Sequence, residues 1–274
     1  MSPSKACQIA ARVLGAIMLL LAGSAAAFPL WNMPKGVTDI SHDIYNLHMQ
    51  VLWISVAISV VVFGTMLYSI IMHRQSRGYK AAQFHESTTV EVLWTIAPFV
   101  ILVVMAIPAT KTLMAIENTG NSDLTIEVTG YQWQWHYDYL NQDISFFSRL
   151  STPETQILNL ADKSPHYLRE VDNELVLPVG KKIRFLFTSN DVNHAWWVPA
   201  FGVKRDVIPG FINQDWTRIN RPGVYRGQCA ELCGRDHAFM PIVVRAVRQA
   251  EFKKWVKAHK GSKQASRAPA SRAS

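Results

Sequence analysis

The chain has 274 residues, with 28 Lys and Arg against 20 Asp and Glu, a formal charge of +8. That charge is uneven: residues 118–248 hold 14 basic and 14 acidic side chains, whereas residues 249–274 hold seven basic and one acidic. With no folded basic platform, the positive balance is poor support for a nucleic-acid-binding module.

In chain order, the first element is an export signal. Lys5 and Arg12 supply a positive start, Val13 to Ala22 an apolar stretch, and Ala25-Ala26-Ala27 a small-residue cleavage site, giving a signal peptide over 1–27. Cys7 precedes the apolar stretch and leaves with it, so Cys229 and Cys233 are the mature chain's cysteines. Two charge-free runs follow, Met49 to Met72 and Val92 to Thr110. Each can cross about 30 Å of hydrocarbon as a helix. Residues 28–117 thus read as a transmembrane hairpin with helices over about 48–72 and 90–114. Pro98 and Pro108 near the ends of the second run are tolerable in a membrane helix. The connection from His73 to Thr89 carries Arg74, Arg77 and Lys80 against Glu86, which places it on the cytoplasmic side and both flanks outside.

From Asn118 the pattern changes. Leu124, Ile126 and Val128 alternate with Thr125, Glu127 and Thr129, and Ile183, Phe185 and Phe187 repeat the alternation. Further strands are predicted over 131–139, 144–149, 173–177, 211–219, 223–228 and 240–248, with turns at Pro178, Gly180, Pro209-Gly210 and Pro222-Gly223. Residues 118–248 therefore read as an all-β Greek-key sandwich or barrel. A short helix over 250–259 and a Ser/Ala/Lys/Arg tail complete residues 249–274.

The chemistry concentrates in Cys229-Ala-Glu231-Leu-Cys233-Gly-Arg-Asp-His237-Ala-Phe-Met240. Two thiols, an imidazole and a thioether within twelve residues favour copper over harder ions, and the second cysteine suggests a pair of bridged ions rather than one. A disulfide would leave His237 and Met240 without a role. Structural zinc is the stronger rival, with His194 as fourth ligand, although zinc rarely takes a thioether. Haem c attachment is excluded, because no His follows the second cysteine directly.

Taken together, the signal, the two-helix hairpin, Glu91-Val-Leu-Trp94-Thr95, Gln132-Trp133-Gln-Trp135, His194-Ala-Trp-Trp-Val-Pro and the Cys229 to Met240 loop resemble subunit II of the bacterial cytochrome c oxidases. The resemblance implies a cupredoxin-like barrel holding two copper ions, the dinuclear CuA centre. Cys229 and Cys233 would bridge both ions. His194 and Met240 would complete one, His237 and the Glu231 carbonyl the other, with the Glu231 carboxylate reaching a magnesium ion shared with subunit I. It further implies that Trp133 receives electrons from cytochrome c, and that Glu91 opens a proton channel into subunit I. The partners would be subunit I, subunit III and cytochrome c, in a bacterial inner membrane with the copper domain periplasmic. Asp191, near His194, is a candidate for an acidic docking patch facing a basic cytochrome c. Nitrous oxide reductase, which shares the copper domain, and a membrane-anchored copper-delivery protein are the rivals.

Overall fold

Two long helices lead into a β-sandwich in this computed structural model, which describes residues 32–80, 82–83 and 85–262. The signal assignment, Cys7 and the tail after Ser262 lie outside the described residues. The elements below belong to one compact unit beginning at Lys35.

Helix α1 spans Asp39–Met72 and α2 spans Thr88–Glu117. Both are long and apolar enough to cross a membrane. Their side chains, among them Trp53, Val60, Phe63, Trp94, Phe99 and Leu102, point outward, as the hydrocarbon of a bilayer requires. Helix α1 begins well before its charge-free run because Thr38 and Ser41 form a reciprocal capping box: Ser41 N–H donates to Thr38 Oγ1 and Thr38 N–H to Ser41 Oγ, both at 3.0 Å. The extra turns at this end reach the sandwich. Val37 N–H donates to the Ala200 carbonyl at 2.7 Å, Thr38 Oγ1 to that of Phe201 at 2.8 Å, and Asn220 N–H to that of Val37 at 2.9 Å. Gly36 lets the chain approach so closely, since a Cβ there would lie 2.6 Å from the Ala200 carbonyl oxygen.

The sandwich has two five-stranded sheets. One runs β3 (Ile144–Ser148), β2 (Gln134–Tyr139), β1 (Leu124–Tyr131), β5 (Ile183–Ser189), β8 (Asn213–Thr217). The other runs β4 (Leu175–Pro178), β10 (Pro241–Val247), β9 (Gly223–Cys229), β6 (His194–Val198), β7 (Val203–Val207). Strands β1 and β5 are parallel, as are β10 and β4, so these pairs need crossovers rather than hairpins. The crossover from β3 to β4 holds a short helix, α3 (Glu154–Ile157). Inward residues of the first sheet, including Ile126, Trp135, Tyr137, Phe185 and Phe187, meet Trp196, Val198, Leu175 and Val244 of the second. Trp196 lies 5.1 Å from the Phe185 ring and 5.7 Å from that of Phe187, and its indole N–H donates to the Tyr137 hydroxyl at 3.3 Å. Burying each such large apolar side chain contributes about 1.5–3 kcal/mol. Tyr139 ties the sheets together: its hydroxyl donates to the Val176 carbonyl at 2.8 Å and accepts from Val176 N–H at 3.0 Å.

The strands β6 and β7 were not among those predicted. In β6, His194, Ala195, Trp196 and Val198 are all buried, so the period-2 signal of a half-buried strand is missing. Helix α4 (Gln249–His259) closes the far end with Phe252, Trp255 and Val256 against the core.

The exit of α2 is held as firmly as the start of α1. Trp216 Nε1 donates to the Ala115 carbonyl at 2.9 Å and Lys182 Nζ to that of Asn118 at 2.7 Å, adding donors to carbonyls at the helix end. Arg205 lies between Glu117 at 3.2 Å and Asp215 at 3.4 Å. Burial pushes the Asp215 carboxyl up to about 6, although Trp216 N–H and Arg205 pull it down.

Candidate metal centre

The site forms where β6 begins, β9 ends and the loop to β10 returns. Strand β6 pairs with β9 through Trp196 opposite Cys229, which sets His194 beside the cysteine. Beyond Cys229, Ala230 N–H donates to the Ala195 carbonyl at 2.9 Å and Cys229 N–H to the Met240 carbonyl at 3.1 Å. These bonds pin both ends of the loop. Gly234, at φ +118°, turns the loop back where a side chain would be strained and crowded, with a Cβ 3.2 Å from Trp133 Cζ2. From the other sheet, Gly130 gives His194 its space: a Cβ there would lie 2.8 Å from His194 Cδ2.

The ligand atoms of His194, Cys229 and Cys233 lie within 4.8 Å of one another, and all three residues are buried. The two sulfurs are 3.9 Å apart. His194 Nδ1 lies 3.9 Å from the Cys229 sulfur, His237 Nδ1 3.4 Å from the Cys233 sulfur, and the Glu231 carbonyl oxygen 3.3 Å from the Cys229 sulfur. Met240 is buried at the start of β10, and the Glu231 side chain is exposed.

Electrostatics separate the two thiols. Burial pushes Cys229 up, but hydrogen bonding from His194 and the backbone contacts at Ala195 and Glu231 outweigh it and bring the thiol down to about 7. Burial pushes Cys233 up to about 12, reinforced by the charge of Cys229 beside it. For His194, burial opposes the charged form, while Cys229 and Asp191 together raise its pKa.

Asp191 occupies an unexpected place. Its side chain stays 28% exposed while also gripping the site: Oδ1 lies 2.9 Å from His194 Nε2 and accepts from Val192 N–H at 2.6 Å, and Oδ2 accepts from Gln132 N–H at 2.6 Å. A carboxylate on the outer nitrogen holds the imidazole with Nδ1 toward the thiols. The Asp-x-x-His spacing was the available signal. Gln132 then extends the network, its Nε2 donating to the Cys233 carbonyl at 2.8 Å.

Trp133 lies in the turn between β1 and β2, and its Nε1 donates to the same Cys233 carbonyl at 3.2 Å. The half-buried indole thus touches both the surface and the cysteine loop. Glu91 stands apart, exposed in the first turn of α2. Twenty-six residues separate it from Glu117 at the other end, about 39 Å along the axis.

The donor set fits a soft metal. Cys229 and Cys233 are free thiols. Their 3.9 Å separation is within the span of about 4.6 Å open to two sulfurs sharing an ion at about 2.3 Å each. Two sulfurs, two imidazole nitrogens and a buried thioether also match copper better than zinc or magnesium.

Comparison with known proteins agrees. Residues 124–247 match the family described as "Cytochrome C oxidase subunit II, periplasmic domain", and residues 27–112 that described as "Cytochrome C oxidase subunit II, transmembrane domain". The chain belongs to the cytochrome c oxidase subunit II family. It is 39% identical over 235 residues to "Probable cytochrome c oxidase subunit 2" of Rickettsia bellii, covering 84% of this chain and 86% of that one. It is 35% identical over 237 residues to "Cytochrome c oxidase subunit 2" of Cereibacter sphaeroides, covering 82% and 78%. Among solved structures, the periplasmic domain of subunit II of cytochrome oxidase of Bradyrhizobium japonicum is 45% identical, covering 53% of this chain and 98% of that one, with a TM-score of 0.47. The chain is thus a subunit of a cytochrome c oxidase, an oxidoreductase complex. It combines a transmembrane hairpin with a periplasmic domain built as a two-sheet β-sandwich.

Proposed function

We propose that this chain is the subunit through which electrons enter a bacterial inner-membrane cytochrome c oxidase, from cytochrome c to haem in subunit I. The observation that carries the reading is the convergence of His194, Cys229 and Cys233, flanked by His237 Nδ1 and the Glu231 carbonyl, at one end of the sandwich. In this reading Cys229, Cys233, His194, Met240, His237 and the Glu231 carbonyl would together hold two copper ions. Bound there, the copper pair supplies one-electron redox chemistry with its charge spread over two metals.

The chain's own residues do the rest. The buried barrel end excludes water, and β6, β9 and β10 hold the donors on a rigid scaffold, which limits rearrangement as charge changes. Asp191 orients His194. Trp133 connects the outer surface to the cysteine loop through its bond to the Cys233 carbonyl, so it is placed to receive electrons. The exposed Glu231 carboxylate is free to hold a magnesium ion shared with subunit I. On the opposite membrane face, Glu91 is placed to gather protons for subunit I, where oxygen reduction and proton pumping take place with subunit III alongside.

Stopped-flow mixing of the assembled oxidase with reduced cytochrome c tests the reading. The first electron should arrive in the copper domain before any haem is reduced. Trp133→Phe should slow that phase with little change in donor binding, and Cys229→Ala should abolish it. Haem reduction at the unaltered rate in the Cys229→Ala complex would contradict the proposal.

A further inference from the structure

The surface beside Trp133 presents a guanidinium among its carboxylates. Arg235 projects from the cysteine loop with its guanidinium carbon 5.9 Å from the Trp133 ring centroid. Its side chain is 77% exposed. Carboxylates nearby leave the guanidinium within a partner's reach. Asp191, 28% exposed, is engaged by His194 and Gln132. Asp236 lies 3.4 Å from Arg235 Nε, but an exposed pair of this kind is weak and leaves the rest of the guanidinium to solvent. Leu232, in the same loop, is also exposed.

We infer that Arg235 is a donor-specificity residue: its guanidinium over the Trp133 ring favours a cytochrome whose contact rim places a carboxylate there and disfavours one that places a lysine there. The inference rests on Trp133 as the point of electron input. Charges in an encounter act mainly on association, and the effect fades as salt rises. A unit charge about 7 Å away in water changes association by about threefold, and reversing the charge by about sevenfold.

The test uses the purified oxidase complex and one c-type cytochrome in two forms, lysine-rimmed and with those lysines succinylated. At low ionic strength, Arg235→Gln should raise kcat/KM about threefold for the lysine-rimmed form and lower it about threefold for the succinylated form. Arg235→Glu should extend both changes to about sevenfold. Arg235→Lys should match the parent, and kcat and the copper spectrum should hold in all three. A role confined to packing on Trp133 would move both donors in the same direction, overturning the inference, as would no change with either. Trp133→Phe separates the two readings. If it leaves the input rate unaltered while the Arg235 variants still sort the donors, the input point is wrong and the specificity stands. If it slows input with both donors while the Arg235 variants change nothing, the specificity is wrong and the input point stands.

Discussion

Replacing Asp191 should weaken copper binding without unfolding the domain. In Asp191→Ala, His194 Nε2 loses its partner at 2.9 Å inside a fully buried side chain, and Gln132 N–H loses its acceptor at 2.6 Å. Leaving a buried donor unpaired costs about 1–3 kcal/mol. Loss of a carboxylate that orients a metal-binding imidazole lowers metal affinity by about 10–100-fold. Part of the cost appears as stability, because the Gln132 turn, which also bonds to the Cys233 carbonyl, is released. Asp191→Asn keeps one acceptor oxygen and should lose less on both counts. The assay is copper titration against a competing chelator, with thermal denaturation of the same samples. Parental copper affinity in Asp191→Ala would refute the positioning role, and a larger loss in Asp191→Asn than in Asp191→Ala would refute the hydrogen-bond argument.

Other expectations follow from the same geometry. A Cβ on Gly227 would lie 2.0 Å from the Trp197 carbonyl oxygen, backbone that cannot yield, so Gly227→Ala should break the β6–β9 pairing, with the soluble domain recovered in low yield and without copper; normal yield and copper content would contradict it. The Asp215 carboxyl titrates at about 6 in the fold against about 3.9 unfolded, so its protonated form is favoured by folding, and its contribution to stability declines as pH rises from about 4 to about 6, by about 3 kcal/mol in all. Asp215→Asn should flatten that part of the stability–pH curve, and an unaltered slope would show that the buried carboxyl does not titrate there. Glu91→Ala should lower steady-state turnover per haem and leave the copper spectrum intact, because about 39 Å of helix separates Glu91 from the outer domain; parental turnover would remove Glu91 from proton uptake.

The membrane anchor and the cysteine loop were legible because each is written in contiguous residues. An uncharged run reports a span directly, and Cys229 to Met240 carries four chemically distinctive side chains in twelve positions. The strands of the alternating type were readable for the same reason, since Leu124 to Thr129 shows its burial pattern locally. What depends on neighbours distant in sequence was not. The strand His194–Val198 puts apolar Ala195 and Trp197 between buried His194, Trp196 and Val198, so its sequence lacks a polar alternation. The start of α1 at Asp39 follows from a cap whose partners include Ala200 and Phe201. Asp191 looked like a surface charge, and only the fold brings Gln132, some sixty positions away, onto its second oxygen. Arg235 had no meaning until Trp133, from another strand connection, lay beneath it.

The central claim is that Cys229 and Cys233, with His194, His237, Met240 and the Glu231 carbonyl, hold two coppers as one unit. The electron paramagnetic resonance spectrum of the copper-loaded protein tests it most directly, read beside the copper content of the same sample. Two copper ions per chain and the seven-line hyperfine pattern of one electron shared by two equivalent nuclei are predicted, and Cys233→Ser should abolish that pattern. One copper per chain with a four-line spectrum, or the shared pattern surviving in Cys233→Ser, would contradict the account.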